Sequence, residues 1–179
     1  ITLTGRTTKP YTSLVNEKFG DYVNITNSFT VEGWFKYDNL PTGNAWRYLV
    51  GNHIADTGRW ILSLRQGATN WVMYVAGSIG DVAFPVQNDT VATTNTWRHV
   101  ALTYAHDAGP SGRGVWELFV DSQSHGALTN SSIVTSLTTD DSTFCLGGRP
   151  TGNTSGDVNL DYWRVSDRVL QPGEFLNEG

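Results

Sequence analysis

Apolar and polar residues alternate along most of this chain with the period of two that marks β-strands. The 3.6-residue period of an amphipathic helix is almost nowhere present. Phe29, Val31, Gly33 and Phe35 share one side of a run whose other side carries Thr30, Glu32, Trp34 and Lys36. Trp60, Leu62 and Leu64 alternate with Ile61, Ser63 and Arg65, and Val100, Leu102 and Tyr104 with His99, Ala101 and Thr103. Trp116, Leu118 and Val120 alternate in the same way with Val115, Glu117 and Phe119. Turn-forming clusters separate the runs, among them Asp38-Asn39-Leu40-Pro41-Thr42-Gly43 and Ala108-Gly109-Pro110-Ser111-Gly112. Roughly ten or more short strands at this spacing describe a sandwich or barrel. The pattern predicts one antiparallel all-β domain over residues 1–179. A helical turn is expected only at Leu170–Phe175, with Pro172 near its start.

Composition supports that reading. Charged residues make up 16% of the chain, below the ~25% of an average domain whose helices carry charged outer faces. Instead there are 22 Thr, 13 Ser and 13 Asn, which suit strands and turns. A net charge of −5 argues against nucleic acid as a partner, since phosphate-binding surfaces cluster Lys and Arg. The single cysteine, Cys145, excludes an intramolecular disulfide and a thiolate zinc knuckle, and reads as a small buried apolar residue. No apolar run approaches the ~20 residues of a membrane-spanning helix. Because the chain starts at Ile1 without Met or a signal peptide, it reads as a domain of a longer protein.

Four segments in order resemble the concanavalin A-like jelly rolls, most closely their laminin-G-like group. They are Phe19-Gly20-Asp21-Tyr22-Val23, Phe29-Thr30-Val31-Glu32-Gly33-Trp34-Phe35-Lys36, Trp97-Arg98-His99-Val100-Ala101 followed by Glu117-Leu118-Phe119-Val120-Asp121, and Leu160-Asp161-Tyr162-Trp163-Arg164-Val165 followed by Leu170-Gln171-Pro172-Gly173-Glu174. The resemblance implies a two-sheet antiparallel jelly-roll β-sandwich. Such sandwiches serve as lectins, carbohydrate-binding modules, hydrolases and adhesion modules, so function must come from a site. Family 16 glycoside hydrolases share the fold and place their acids on a Glu-x-Asp-x-x-Glu strand. Here the nearest candidate is Glu117 with Asp121, which lacks the third acid. Nor does the chain carry a metalloprotease HExxH, a Gly-x-Ser-x-Gly elbow or a phosphate loop. The expectation is a protein that is not an enzyme.

Sugars present apolar C–H faces that stack on indole, and hydroxyls that need polar partners. Seven tryptophans stand in the chain. Trp34, Trp60, Trp97, Trp116 and Trp163 fall in strands that would pack the sandwich, whereas Trp46 and Trp71 follow turns and are candidates for stacking. Glu32, Arg65, His99, Thr103, Glu117 and Phe119 oppose the apolar faces of their strands, and would form a polar groove if those strands share a sheet. The function expected is a non-catalytic carbohydrate-binding module of a larger secreted or cell-surface protein, taking polysaccharide or glycoprotein glycan beside neighbouring domains. A protein-interaction or spacer domain is the alternative, with a glycoside hydrolase behind it. Sequons at Asn24, Asn88, Asn130 and Asn153 are consistent with secretion. The resemblance further implies a structural calcium ion at Asp161, with Asn16 or Glu17 and the carbonyl of Gly20 as its partners.

Overall fold

The computed structural model describes residues 2–3, 12–18, 28–39, 46–51, 60–66, 71–76, 82–86, 93–130, 143–147 and 158–176. Among these residues, twelve strands form two six-stranded antiparallel sheets. Sheet A holds β1 (Thr2–Leu3), β12 (Val158–Ser166), β3 (Phe29–Tyr37), β8 (Arg98–Ala105), β9 (Val115–Val120) and β10 (Gln123–Thr129), in that order. Sheet B holds β2 (Thr12–Lys18), β11 (Thr143–Leu146), β4 (Trp46–Gly51), β5 (Ile61–Gln66), β6 (Trp71–Ala76) and β7 (Val82–Val86). The order differs from the order in sequence, so the two sheets exchange strands as a jelly roll requires.

Alternation along the strands decides what lies between the sheets. Phe29, Val31 and Phe35 of β3, Val100, Leu102 and Tyr104 of β8, and Trp116 and Leu118 of β9 meet Leu49, Leu62 and Leu64 from sheet B and Trp60, which precedes β5. All are buried. An aromatic cluster joins the layers: Phe29 lies 5.6 Å from Trp60 and 5.7 Å from Trp116, and Tyr104 lies 4.6 Å from Trp116. Each such ring contributes about 1.5–3 kcal/mol by leaving water. Asn130 is part of this layer, with its Oδ1 accepting Trp116 Nε1–H at 2.7 Å. At 1% exposure it is no acceptor for glycosylation, which corrects the sequon reading there. The sequons at Asn24, Asn88 and Asn153 lie outside the described residues.

A register shift shapes sheet A where β12 meets β3. The register of β12 against β3 passes from Asp161 opposite Trp34 to Arg164 opposite Glu32, so Tyr162 and Trp163 together face Gly33. This is a β-bulge. Trp163 turns into the core and covers Gly33 so closely that a Cβ there would collide with the indole. Tyr162 takes φ 45° and stays 52% exposed.

Candidate functional site

The outer face of sheet A is not open along its whole length. After β12 the chain turns back across it, with a 3-10 turn at Pro172–Glu174 where the sequence predicts a helical turn. Two apolar residues of this return segment, Leu170 and Phe175, pack with Ala101 and Phe119 in a second small core. The Phe175 ring stands 5.1 Å from Phe119 and 5.8 Å from His99. Thr30 fixes the near end, since its Oγ1 donates to the Arg168 carbonyl and accepts the Leu170 amide, both at 2.9 Å.

Glu32 fixes the far end. Its Oε2 accepts the Leu176 amide at 2.8 Å and His99 Nε2–H at 3.0 Å. Its Oε1 accepts Arg164 Nε–H at 2.7 Å and a second bond from Arg164 Nη2. Arg164 Nη2 also donates to the Glu174 carbonyl at 2.7 Å. Burial alone pushes the Glu32 carboxyl up, but the bonds from His99, Leu176 and Arg164, with the charge of Arg164, hold it below its ordinary value. Further out, Arg168 bonds both oxygens of Glu174, which also accepts the Gln171 amide. Chiefly through Arg168, the Glu174 carboxyl is held at about 2.

Glu32, His99 and Phe119 are therefore 0%, 2% and 6% exposed, and they line no open groove. The physical reason is the pair Leu170 and Phe175, which bury more favourably against that face than they would stand in water. Thr103 is buried as well, while Glu117 remains partly open and its Oε1 accepts Ser124 Oγ–H at 2.7 Å. Arg65 belongs to the other sheet, so the single groove expected from sequence divides in two. In sheet B, Arg65 is the register partner of Trp46, and Gln66 beside it is the partner of Trp71. Trp46 begins β4, Gln66 ends β5 and Trp71 begins β6, so the three candidate positions share one end of one sheet, Trp46 and Arg65 at one parity and Trp71, opposite Gln66, at the other.

Sequence reasoning missed Thr30, Arg164, Leu170 and Phe175 as the residues that close the outer face. The available signal was the pair of apolar residues in an otherwise turn-like tail. Asp121, the partner considered for Glu117, uses both carboxylate oxygens locally: Oδ1 accepts the His99 amide at 3.0 Å, and Oδ2 accepts Arg98 Nη1–H at 2.6 Å.

For calcium, the relevant test is whether oxygen ligands converge, because the ion takes ~6–8 of them. Among the described residues no three His, Cys, Asp or Glu side chains form such a group. Asp161 stands on β12 of sheet A, where its Oδ1 accepts the Tyr162 amide at 3.1 Å. Asn16 and Glu17 stand on β2 of sheet B, and Gly20 lies outside the described residues.

A family model described as the concanavalin A-like lectin/glucanase superfamily matches residues 8–174. No curated protein matches the chain in sequence. Among solved structures, the binding domain of Paraclostridial mosquitocidal protein 1 is similar at TM-score 0.57 and 20% identity, over 83% of this chain and 35% of that one. A heptameric SAP-like pentraxin from Limulus polyphemus is similar at TM-score 0.55 and 13% identity, over 82% and 66%. Botulinum neurotoxin type C, whose cell entry depends on interaction with two ganglioside molecules, is similar at TM-score 0.54 and 13% identity, over 83% and 34%. The chain thus spans about a third of the two toxin chains. At these identities the likeness is one of fold.

Proposed function

The chain belongs to the concanavalin A-like lectin/glucanase superfamily, and on that premise we propose that it is a non-catalytic carbohydrate-binding module of a larger secreted or cell-surface protein. Its ligand is polysaccharide or glycoprotein glycan, taken at the end of sheet B that Trp46, Arg65 and Trp71 share. The observation that carries this reading is the register of β4, β5 and β6, which brings two tryptophans and an arginine to one sheet end. Indole offers a flat apolar surface to a pyranose C–H face, and guanidinium offers several fixed donors to sugar hydroxyls. The ganglioside dependence of the type C neurotoxin, a structural neighbour, is in keeping with a glycan as ligand.

The non-catalytic part rests on the acids. Retaining glycosidases need two carboxyl groups ~5–5.5 Å apart, one of them able to give up a proton. Among the described residues, Glu32 is saturated by donors and shut from water, Asp121 is committed to Arg98 and the His99 amide, and Glu117 accepts Ser124 Oγ–H. Isothermal titration of the wild-type chain and of Arg65→Ala and Trp71→Ala with a panel of plant, bacterial and animal oligosaccharides tests the proposal. Binding that falls about five- to thirtyfold in both variants is expected, each lost contact being worth ~1–2 kcal/mol. Equal affinity in all three proteins would move the site elsewhere. No heat with any sugar at millimolar concentration would favour a protein-interaction or spacer domain.

A further inference from the structure

We propose that the bulge of β12 builds a second saccharide platform, on the outer face of sheet A, from Tyr162, Trp34 and the polar side chains beside them. Tyr162 is the starting observation. Its φ of 45° lies in the left-handed region, which costs an L-residue with a bulky side chain about 1–2 kcal/mol. The residue is 52% exposed and its ring is not part of the core cluster. Bulges re-aim side chains, and this one sends Trp163 inward and leaves an aromatic ring in water.

The register partner of the adjoining Asp161 is Trp34, half-buried on the outer face. The Trp34 ring is backed by His99 at 5.3 Å, which holds it in place, and its Nε1 has no hydrogen-bond partner among the described residues. One step along the strands, Asn159 is the partner of Lys36. Asn159 Nδ2 donates to Asp38 Oδ1 at 2.8 Å, and Lys36 Nζ lies 3.9 Å from the same oxygen and 5.6 Å from the Trp97 ring centre. The polar groups are thus already ordered, which lowers the entropy a ligand must overcome.

The chemistry of the patch selects its ligand. The Lys36 ammonium lies 3.9 Å from the Asp38 carboxylate, so among the described residues of the patch its charge is balanced and no cationic excess holds a phosphate or a sulfated chain. A protein partner would need about 800 Å² of surface with an apolar centre. The other large exposed hydrophobic among the described residues, Leu128, is on β10 at the opposite edge of the sheet. Two aromatic rings, with ordered donors and acceptors one step further along the strands from Trp34, suit one or two pyranose rings of an uncharged oligosaccharide. This platform does not depend on the sheet B end, and the two can be separated by experiment.

The test is NMR titration of the 15N-labelled 179-residue chain with cellohexaose, whose equatorial hydroxyls leave both ring faces apolar. The expected result is a shift of the Trp34 indole N–H, with affinity falling at least about tenfold in Tyr162→Ala and kept in Tyr162→Phe. Tyr162→Ala removes an exposed ring and should melt as the wild type does, so lost binding is not lost folding. A Trp34 indole that does not move, an affinity unchanged in Tyr162→Ala, or no binding of cellohexaose would each overturn the platform. Binding lost in Arg65→Ala but kept in Tyr162→Ala would overturn it while leaving the sheet B reading intact.

Discussion

Replacing Glu32 with Gln removes one charge from the point where three elements converge. The carboxylate accepts four hydrogen bonds, from His99 on β8, twice from Arg164 on β12, and from the Leu176 amide of the return segment. The amide of Gln keeps the shape but turns one acceptor into a donor, set against the donors that converge there. Breaking a buried ion pair from one side costs about 3–5 kcal/mol. The side chain of Arg164 is 28% exposed and recovers some hydration, so the lower end, about 3 kcal/mol, applies. For a domain of this size that is a fall of roughly 6–12 °C in melting temperature. The pH dependence has a definite sign. Because the folded carboxyl titrates below its ordinary 4.5, its contribution is full above that value and is lost as pH falls through the lower folded value. The part of the difference between wild type and Glu32→Gln that comes from the Glu32 carboxyl is therefore fully present above its ordinary value and shrinks as the pH falls into acid. Calorimetry across pH, with hydrogen exchange at the Leu176 amide, checks both parts. A variant melting within about 2 °C of wild type, with that amide still protected, would refute the network as the anchor of the return segment.

Three further outcomes are expected from the backbone and the proposed metal. The β9–β10 hairpin turns through Asp121 and Ser122 at φ 48° and 62°, so Ser122→Gly, measured by chemical denaturation, should stabilise by about 0.5–1 kcal/mol. Gly33→Ala should destabilise by about 1–3 kcal/mol or more, because the new methyl meets the Trp163 ring in a packed core; unchanged stability would mean the bulge relaxes freely. The proposed calcium ion at Asp161 predicts a higher melting temperature with CaCl2 than with EGTA, and loss of that difference in Asp161→Asn. Superimposed curves would leave Asp161 without a metal role.

What could be read from sequence was the inward face of each strand. Phe29, Val31 and Phe35, then Trp60, Leu62 and Leu64, then Trp116 and Leu118 all point into the core, because alternation reports which face leaves water. The outward face was harder. Thr30, Glu32 and His99 look solvated by pattern, yet a tail with two apolar residues covers them, and period two cannot signal a strand covered on both sides by so short a segment. Sheet membership was equally hidden. Arg65 and Glu32 have the same outward parity, but parity says nothing about which sheet a strand joins. The exposure of Tyr162 depends on one bulge set by Gly33 and Trp163, a contact between strands far apart in sequence.

The central claim, sugar binding without turnover, is reached most directly by incubating the chain with the oligosaccharide panel and reading bound ligand and newly released reducing ends in the same samples. The account predicts saturable binding of at least one glycan, with reducing ends at the level of a protein-free control. Release of reducing ends that scales with protein concentration, or no bound glycan at millimolar sugar, would contradict it.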